Sequence, residues 1–152
     1  MPEEGKKAPT FKLTDQNEKT ISLNDYKGKN VILYFYPKDD TPGCTAEACS
    51  FRDDFPKFKK VDAVILGVSP DSVESHKKFA KKYNLNFSLL ADEDKEVIKK
   101  YDVWKEKSMY GRKYMGVERT TYIIDPEGKI KKIFRKVKVD GHNKEVMEAL
   151  KN

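Results

Sequence analysis

Long apolar segments are missing from this chain of 152 residues. No stretch approaches the ~20 consecutive apolar residues that a membrane-spanning helix needs. The first residues, Met1-Pro2-Glu3-Glu4-Gly5-Lys6, lack the apolar segment of a signal peptide. We therefore expect no membrane association and a cytoplasmic location.

Motifs for nucleotide binding and for serine hydrolysis are also missing. The chain contains no Gly-x-Gly-x-x-Gly and no Gly-x-Ser-x-Gly. Gly111 and Gly116 have the spacing of a phosphate loop, but Val117 and Glu118 follow where Lys and Ser or Thr are required. Dinucleotide sites, phosphate loops and hydrolase elbows thus have no support in the sequence.

Cysteine and histidine are scarce. The chain has two of each: Cys44 and Cys49, His76 and His142. Two cysteines are too few for a zinc site, and neither histidine lies at ligand-like spacing from them. We expect no metal and no cofactor. In a chain without an export signal, thiols five positions apart indicate redox chemistry or inert buried residues rather than a structural disulfide.

Charge, in contrast, is abundant. Lys and Arg number 31 against 25 Asp and Glu, giving a net charge of +6. Most of the positive charge is lysine in doublets among acids, such as Lys81-Lys82, which is typical of a solvated surface. Residues 129–138 are basic with an interleaved aromatic, a pattern that suits a nucleic-acid contact or an edge strand protected by lysine. We expect no nucleic-acid partner.

Apolar blocks in the sequence predict a folded α/β chain. Residues 31–36 form a continuous apolar run of strand length, which is typical of a central strand buried on both faces. Pro56 is expected to kink or end the helix that follows this strand. The other predicted strands cover residues 61–69, 87–90, 120–124 and 129–139, a hairpin covers 8–13 and 20–23, and helices cover 72–83, 95–101 and 143–150.

This order of elements predicts the fold. Strands and helices alternate and then end in a hairpin and a helix, which indicates a mixed central sheet covered by helices on both faces. This is the thioredoxin-like arrangement, here with an N-terminal hairpin extension. We expect a single domain spanning residues 1–152.

Cys44 lies where the central strand leads into a helix. Thr41 followed by Pro42 has the pattern of an N-cap with proline at the first helical position, so Cys44 falls in the first turn. Backbone N–H groups without partners and the helix dipole stabilise a thiolate there. The position favours a reactive cysteine over the alternative, an ordinary small core residue.

Cys49 lies five residues after Cys44. In an ideal helix the two Cα atoms are about 8 to 9 Å apart and about 140° apart around the axis. A disulfide needs Cα atoms within roughly 7 Å. A bond between the two therefore requires local unwinding around residues 44–52. The alternative is that Cys49 packs or faces solvent without a partner role.

A thiolate at Cys44 also calls for a nearby cation. Among the four arginines, Arg119 is the one directly before an apolar strand, where a merely decorative charge is costly to bury. The alternative is a surface charge at the start of that strand. Glu47, one turn after Cys44, either orients this arginine or is a carboxylate favoured by the helix dipole.

These residues resemble a known family. The run Pro37-x-x-x-Thr41-x-x-Cys44 with Glu47, Cys49 and Phe51-Arg52-Asp53 resembles the peroxiredoxins, specifically the bacterioferritin comigratory protein or Q-type group. Further matches are Gly5-x-x-Ala8-Pro9-x-Phe11, Ser22-Leu23-x-Asp25-Tyr26-Lys27-Gly28-Lys29, Arg119-Thr120-Thr121-Tyr122-Ile123-Ile124-Asp125 and Gly141-His142. The similarity spans nearly the whole chain.

The resemblance implies a role for each matching residue. It implies that Cys44 is the peroxidatic cysteine and that Cys49 is the resolving cysteine. Thr41 hydrogen-bonds the thiolate or the peroxide, and Arg119 stabilises the thiolate and the developing charge. Three neighbours complete the expected pocket: Pro37, which shields it, Gly43 and Glu47.

The resemblance also implies the reaction and its partners. Hydrogen peroxide or an organic hydroperoxide oxidises Cys44 to a sulfenic acid, Cys49 converts this to a disulfide, and thioredoxin or a similar dithiol reduces it. We expect a monomer, with a weak dimer as the alternative.

Two other functions fit parts of the sequence. A basic thioredoxin-like module that binds nucleic acid or protein would leave Cys44 incidental. A general disulfide oxidoreductase would use the fold, but the spacing from Cys44 to Cys49 differs from the C-x-x-C of thioredoxin.

Overall fold

A computed structural model describes residues 2–152, so Met1, the first residue of the expected domain, lies outside the described residues. The strands are β1 Lys12–Asp15, β2 Thr20–Ser22, β3 Asn30–Phe35, β4 Ala63–Ser69, β5 Ser88–Ala91, β6 Trp104–Met109, β7 Arg112–Val117, β8 Thr120–Ile124 and β9 Ile130–Phe134. The helices are α1 Pro42–Lys60, α2 Val73–Tyr83, α3 Glu96–Lys100 and α4 His142–Lys151, with a 3₁₀ helix at Leu23–Tyr26.

The predicted apolar run forms the central strand of a mixed sheet. Seven strands lie in the order β2-β1-β5-β4-β3-β8-β9. β3 pairs in parallel with β4, where Leu33 lies opposite Leu66, and antiparallel with β8, where Leu33 lies opposite Tyr122. Strands β4 and β8 flank β3, and side chains pack against both of its faces. Residues 31–35 are therefore all buried.

Alternating residues of β3 enter two separate cores. Tyr34 packs with Phe51 of α1, Phe79 of α2 and Val146 of α4 on one face of the sheet. On the other face, Val31, Leu33 and Phe35 pack with Val97 and Ile98 of α3 and Leu23 of the 3₁₀ helix. Helices therefore cover both faces, and the predicted thioredoxin-like architecture is confirmed.

The N-terminal hairpin is also confirmed, and it extends the main sheet. β1 pairs antiparallel with β2, and Thr14 of β1 also lies opposite Ala91 of β5. The Asp15 carboxylate accepts hydrogen bonds from the backbone N–H groups of Asn17 at 2.8 Å and Lys19 at 3.0 Å. This carboxylate stabilises the turn between the two strands.

The prediction that a strand runs from residue 129 to 139 is wrong at its C-terminal end. β9 ends at Phe134, and Lys136 has a left-handed φ of 49°. This conformation turns the chain so that the backbone N–H of Val137 bonds the carbonyl of Arg119 at 2.9 Å. The backbone after Phe134 is thereby directed toward the segment before β8.

The possibility that the first helix ends at Pro56 is also wrong, since α1 continues to Lys60. Pro56 has no N–H to donate to the carbonyl of Arg52. The side-chain amide of Asn86 donates to that carbonyl at 3.3 Å instead. A partner from outside the helix therefore replaces the bond that the proline removes.

The β6–β7 hairpin is not among the elements predicted from the sequence. Tyr110 and Gly111 both have positive φ, 52° and 79°, as expected for a two-residue hairpin turn. Trp104, the first residue of β6, is half-buried and packs against the core on the α3 face of the sheet. The exposed large hydrophobic side chains of residues 2–152 all lie on this hairpin: Met109, Tyr110, Tyr114 and Met115.

Among residues 2–152, no helix combines the length and the apolar character needed to cross a bilayer.

Gly67 provides a test of the core on the α1 face. A Cβ at this position would lie 2.9 Å from Cζ and from the hydroxyl oxygen of Tyr34. The Tyr34 ring has little room to move, because its centroid is 4.8 Å from that of Phe51 and 5.4 Å from that of Tyr36. We predict that Gly67→Ala lowers the free energy of unfolding, measured by urea denaturation, by about 1–3 kcal/mol.

Gly116→Ala is the matched control. The nearest atom to a Cβ at this position is Cδ of Lys107 at 3.3 Å, which belongs to a flexible side chain. Its loss of stability is expected to stay within about 0.5 kcal/mol. An equally small loss for Gly67→Ala would mean that Tyr34 moves aside, contrary to the prediction.

Candidate active site around Cys44

The start of α1 places Cys44 as predicted. Thr41 is the N-cap with extended backbone angles, Pro42 is the first helical residue, and Cys44 is the third. Cys44 is 1% exposed. The backbone N–H groups of this turn have no partner within the helix, and the helix dipole is positive there, so both favour a thiolate.

The side chain of Thr41 does not act as a helix cap. Its hydroxyl donates to the carbonyl of Lys38 at 2.9 Å, although its position as N-cap is the one predicted. Among the described residues it makes no hydrogen bond to Cys44. Because a hydroxyl has one proton, Thr41 in this orientation offers only its lone pairs to a further partner.

Arg119 is brought to Cys44 by strand pairing. Thr120, the first residue of β8, lies opposite Phe35, the last residue of β3. The residue before β8 therefore meets the chain where it leaves β3 for α1. Nη2 of Arg119 donates to Sγ of Cys44 at 3.3 Å, across 75 positions of sequence.

Glu47 holds the same guanidinium from one helical turn further along α1. Nη1 of Arg119 donates to Oε1 of Glu47 at 2.6 Å, and the Glu47 side chain is 2% exposed. The structure thus brings together three of the residues that the sequence singled out, Cys44, Arg119 and Glu47. Oε2 of Glu47 has no hydrogen-bond partner among residues 2–152.

Burial and charge act in opposite directions on this ion pair. Burial raises the pKa of Glu47 to about 7, although the charge and hydrogen bond of Arg119 lower it. Burial alone would lower the pKa of Arg119, but Glu47 and Cys44 outweigh it and raise that pKa. Arg119 is therefore a permanent cation between two acidic groups that compete for it.

Gly43 and Pro37 border this cluster. A Cβ on Gly43 would lie 3.1 Å from Nη2 of Arg119, so a side chain at this position would crowd the guanidinium that contacts the sulfur. Pro37 is half-buried and follows β3 directly. Both lie on the loop and helix start that surround Cys44.

The β6–β7 hairpin, which the sequence did not predict, forms one wall of a cleft beside Arg119. This open cleft of about 470 Å³ is bordered by Arg119, Lys107, Tyr114 and Lys136. Burial, followed by the charge of Arg119, lowers the pKa of Lys107. The available sequence signal for this hairpin was Gly111, because glycine is favoured in two-residue hairpin turns.

Cys49 lies on the same helix and is half-buried. Both cysteines are free thiols. The next two residues are tied to the rest of the fold: the Asn143 side chain donates to Oγ of Ser50 at 2.8 Å, and Phe51 is fully buried.

A second polar cluster lies beneath the loop that precedes α1. Asp39, Asp71 and His76 form the one group of three potential metal ligands found in the described part of the chain, with donor atoms within 4.8 Å of one another. These atoms already bond each other and their neighbours: Nδ1 of His76 is 2.7 Å from Asp39, and its Nε2 is 3.0 Å from the carbonyl of Leu90. The geometry is that of a hydrogen-bonded network.

Comparison with known proteins places the chain. Residues 5–133 match the AhpC/TSA family. The chain belongs to this family. Peroxiredoxin Bcp of Bacillus subtilis (strain 168) is 53% identical over 148 residues, covering 97% of this chain and 94% of that protein. Peroxiredoxin Bcp of Escherichia coli (strain K12) is 44% identical over 144 residues, covering 95% and 92%.

Solved structures agree with this assignment. Xanthomonas campestris peroxiredoxin Q has a TM-score of 0.88 and 44% identity, covering 93% of this chain and 89% of that chain. A cysteine-to-serine mutant of Xylella fastidiosa PrxQ has a TM-score of 0.94 and 39% identity, covering 99% and 96%. The resemblance to Bcp and Q-type peroxiredoxins that the sequence indicated is confirmed.

The raised pKa of Glu47 predicts a pH-dependent contribution to the stability of this peroxiredoxin. The folded pKa of about 7 exceeds the ordinary value of 4.5, so the contribution is full below about pH 4.5 and is lost as the pH rises through 7. We predict that the unfolding free energy of the wild type minus that of Glu47→Gln falls by roughly 1–3 kcal/mol between pH 4.5 and 8. Urea denaturation of the reduced proteins measures it.

Glu74→Gln is the control, because that side chain is 79% exposed on α2. The unfolding free energy of the wild type minus that of Glu74→Gln is expected to stay constant over the same pH range. A flat difference for Glu47→Gln as well would mean that Glu47 stays ionised in the fold, which would contradict the prediction.

Proposed function

We propose that this peroxiredoxin is a thiol-dependent peroxidase that reduces hydrogen peroxide and organic hydroperoxides through Cys44. The main support is a contact: the guanidinium of Arg119 lies 3.3 Å from Sγ of Cys44, which is in the first turn of a helix. A cation and a helix N-terminus at one sulfur favour its nucleophilic thiolate form. We propose catalytic roles for Cys44, Cys49, Thr41 and Arg119.

In the first step the thiolate of Cys44 attacks one oxygen of the peroxide. The O–O bond breaks, the sulfur becomes a sulfenic acid, and the second oxygen leaves with the bonding electrons and takes up a proton to give water or an alcohol. Arg119 lies where negative charge moves from sulfur to oxygen, so it stabilises the transition state. The lone pairs of Thr41 accept the O–H of the peroxide, and Pro37 shields the sulfur.

The cleft beside Arg119 supports activity on organic hydroperoxides. It is open to solvent, and Tyr114 is 44% exposed along it, so an alkyl group has an apolar surface to contact. A bacterioferritin comigratory protein of Xanthomonas campestris, 43% identical with a TM-score of 0.88, has trapped intermediate and ligand complex structures that address its alkyl peroxide reduction activity. The coverage is 93% of this chain and 90% of that one.

In the second step the thiol of Cys49 attacks the sulfenic sulfur of Cys44. Water leaves, and a disulfide forms. The start of α1 must unwind for this, because helical geometry holds the two Cα atoms too far apart. The buried side chain of Phe51 sets the limit of that unwinding on the C-terminal side.

An external dithiol completes the cycle. We propose thioredoxin or a similar protein as the reductant, with no metal or cofactor in the reaction. We further propose that the protein acts in the cytoplasm as a single-domain monomer, without nucleic-acid or membrane partners, a weak dimer being the alternative.

The two-cysteine cycle predicts a mass change. One equivalent of hydrogen peroxide added to the reduced protein is expected to remove two hydrogens, with peptide mapping linking Cys44 to Cys49. Cys44→Ser is expected to leave peroxide unconsumed, and Cys49→Ser to consume one equivalent and then stop with one oxygen added to Cys44. Intact mass spectrometry after a short reaction time measures these changes.

Two other results are informative. One added oxygen on wild-type Cys44 without a disulfide would retain the peroxidase but contradict the role of Cys49. No mass change under conditions in which a free cysteine barely reacts would contradict the proposed function.

Arg119→Ala is expected to slow the first step by about 100-fold or more, since one preorganised donor at a developing charge is typically worth that factor. Stopped-flow measurement of thiol consumption in the Cys49→Ser background isolates this step. Arg112→Ala, which removes an exposed arginine of β7, is the control and is expected to react at the parent rate. An undiminished rate for Arg119→Ala would remove Arg119 from the proposed site.

A further inference from the structure

Residues 37–41, which join β3 to α1, are held by a buried carboxylate. Asp39 is 8% exposed and makes three side-chain hydrogen bonds. The hydroxyl of Tyr36 donates to it at 2.6 Å and Oγ of Ser75 at 2.8 Å, and Nδ1 of His76 lies at hydrogen-bond distance, 2.7 Å. Because Ser75 and His76 belong to α2, Asp39 fixes the loop to that helix.

His76 connects this carboxylate to the sheet. Its side chain is fully buried, and its Nε2 lies 3.0 Å from the carbonyl oxygen of Leu90 in β5. A carbonyl only accepts hydrogen bonds, so Nε2 carries a proton. Nδ1 and Oδ2 of Asp39 share a further proton across 2.7 Å. The imidazole therefore bridges the backbone of β5 and the loop before α1.

The backbone of the loop is held at the same residue. The N–H of Asp39 donates to Oδ2 of Asp71 at 2.8 Å, and Oγ of Ser69 donates to the same oxygen at 2.7 Å. Both the side chain and the main chain of Asp39 are thus fixed by groups outside the loop. Two residues further on the chain reaches Thr41, the N-cap of the helix that carries Cys44.

We propose that His76 is a positioning residue of the peroxidatic site, acting through Asp39 on the loop that ends at Thr41. This inference rests on the proposed peroxidase function. His76 touches neither the sulfur nor a peroxide in this arrangement. It fixes the point at which α1 begins, and with it the positions of Thr41 and Cys44 relative to Arg119.

The hydrogen bond between His76 and Asp39 has opposite effects on the two steps of the cycle. Attack on the peroxide requires the first turn of α1 to be helical, because Cys44 contacts Arg119 in that form. Formation of the disulfide requires that turn to unwind. A contact that holds the loop in the conformation that keeps the first turn of α1 helical therefore speeds the first step and slows the second.

Two amide substitutions separate the two hydrogen bonds of His76. His76→Asn places its amide nitrogen near the position of Nδ1 and retains a donor to Asp39. His76→Gln reaches the position of Nε2 and retains the donor to Leu90 instead. Each variant loses the ring and one buried hydrogen bond, so the two are matched controls for stability, which thermal unfolding measures.

The first step is measured in the Cys49→Ser background by thiol consumption, and the second with both cysteines present by rapid quench and intact mass. For His76→Gln we expect a first step about tenfold slower, since the loss of a buried hydrogen bond is typically worth about that factor, and a faster second step. For His76→Asn we expect both rates within about twofold of the parent.

Equal rates for the two variants at equal melting temperatures would overturn the proposal, because the imidazole would then be structural only. Parent rates for His76→Gln would overturn it as well. If neither variant folds, Ser75→Ala removes a different donor to Asp39, and a smaller change of the same signs is expected; parent rates would again overturn the proposal. A wild-type protein that consumes no peroxide would instead refute the underlying function.

Discussion

The buried contact of Arg119 with Glu47 and Cys44 is the interaction on which the candidate site depends. One guanidinium divides its two Nη groups between a carboxylate and a sulfur, so two acidic groups compete for one cation. Burying such charges is costly unless they are paired, and removal of one partner leaves the other uncompensated. The N-terminal turn of α1 supplies the additional positive potential that this arrangement needs. Sulfur, carboxylate and cation therefore form one electrostatic unit, and a change in any member alters the other two.

The topology explains why this unit forms at one edge of the sheet. β3 delivers the start of α1 there, and β8, antiparallel to β3, begins at the same edge, so Arg119 arrives beside Cys44. β4, parallel to β3, ends beside it and leads to α2, whose His76 reaches back to Asp39. Three chain segments distant in sequence thus meet where the central strand ends. The open cleft formed with the β6–β7 hairpin gives this edge access to solvent.

The sequence was most informative where local physics determines the structure. The apolar run of β3 and the cap before Cys44 each follow from neighbouring residues, and Arg119 was identified because a charge directly before a buried strand is unusual. The hairpin around Gly111 was missed because its residues are mostly exposed and give no apolar face. His76 appeared unconnected to the site because its partner Asp39 is 37 positions away, a contact that only the fold creates. The helix continued past Pro56 for a similar reason, since Asn86 comes from another segment.

The burial pattern along α1 also bears on the thermodynamics of its opening. The first turns bury small or polar side chains, Cys44, Glu47 and Ala48, whereas Phe51 and Phe58 further along are fully packed in the core. An opening that stops before Phe51 exposes little apolar surface. Its heat-capacity change and its denaturant dependence are therefore small fractions of those of global unfolding. The free energy of this opening therefore varies almost linearly with temperature, whereas the stability of the whole fold follows a curved profile with a maximum.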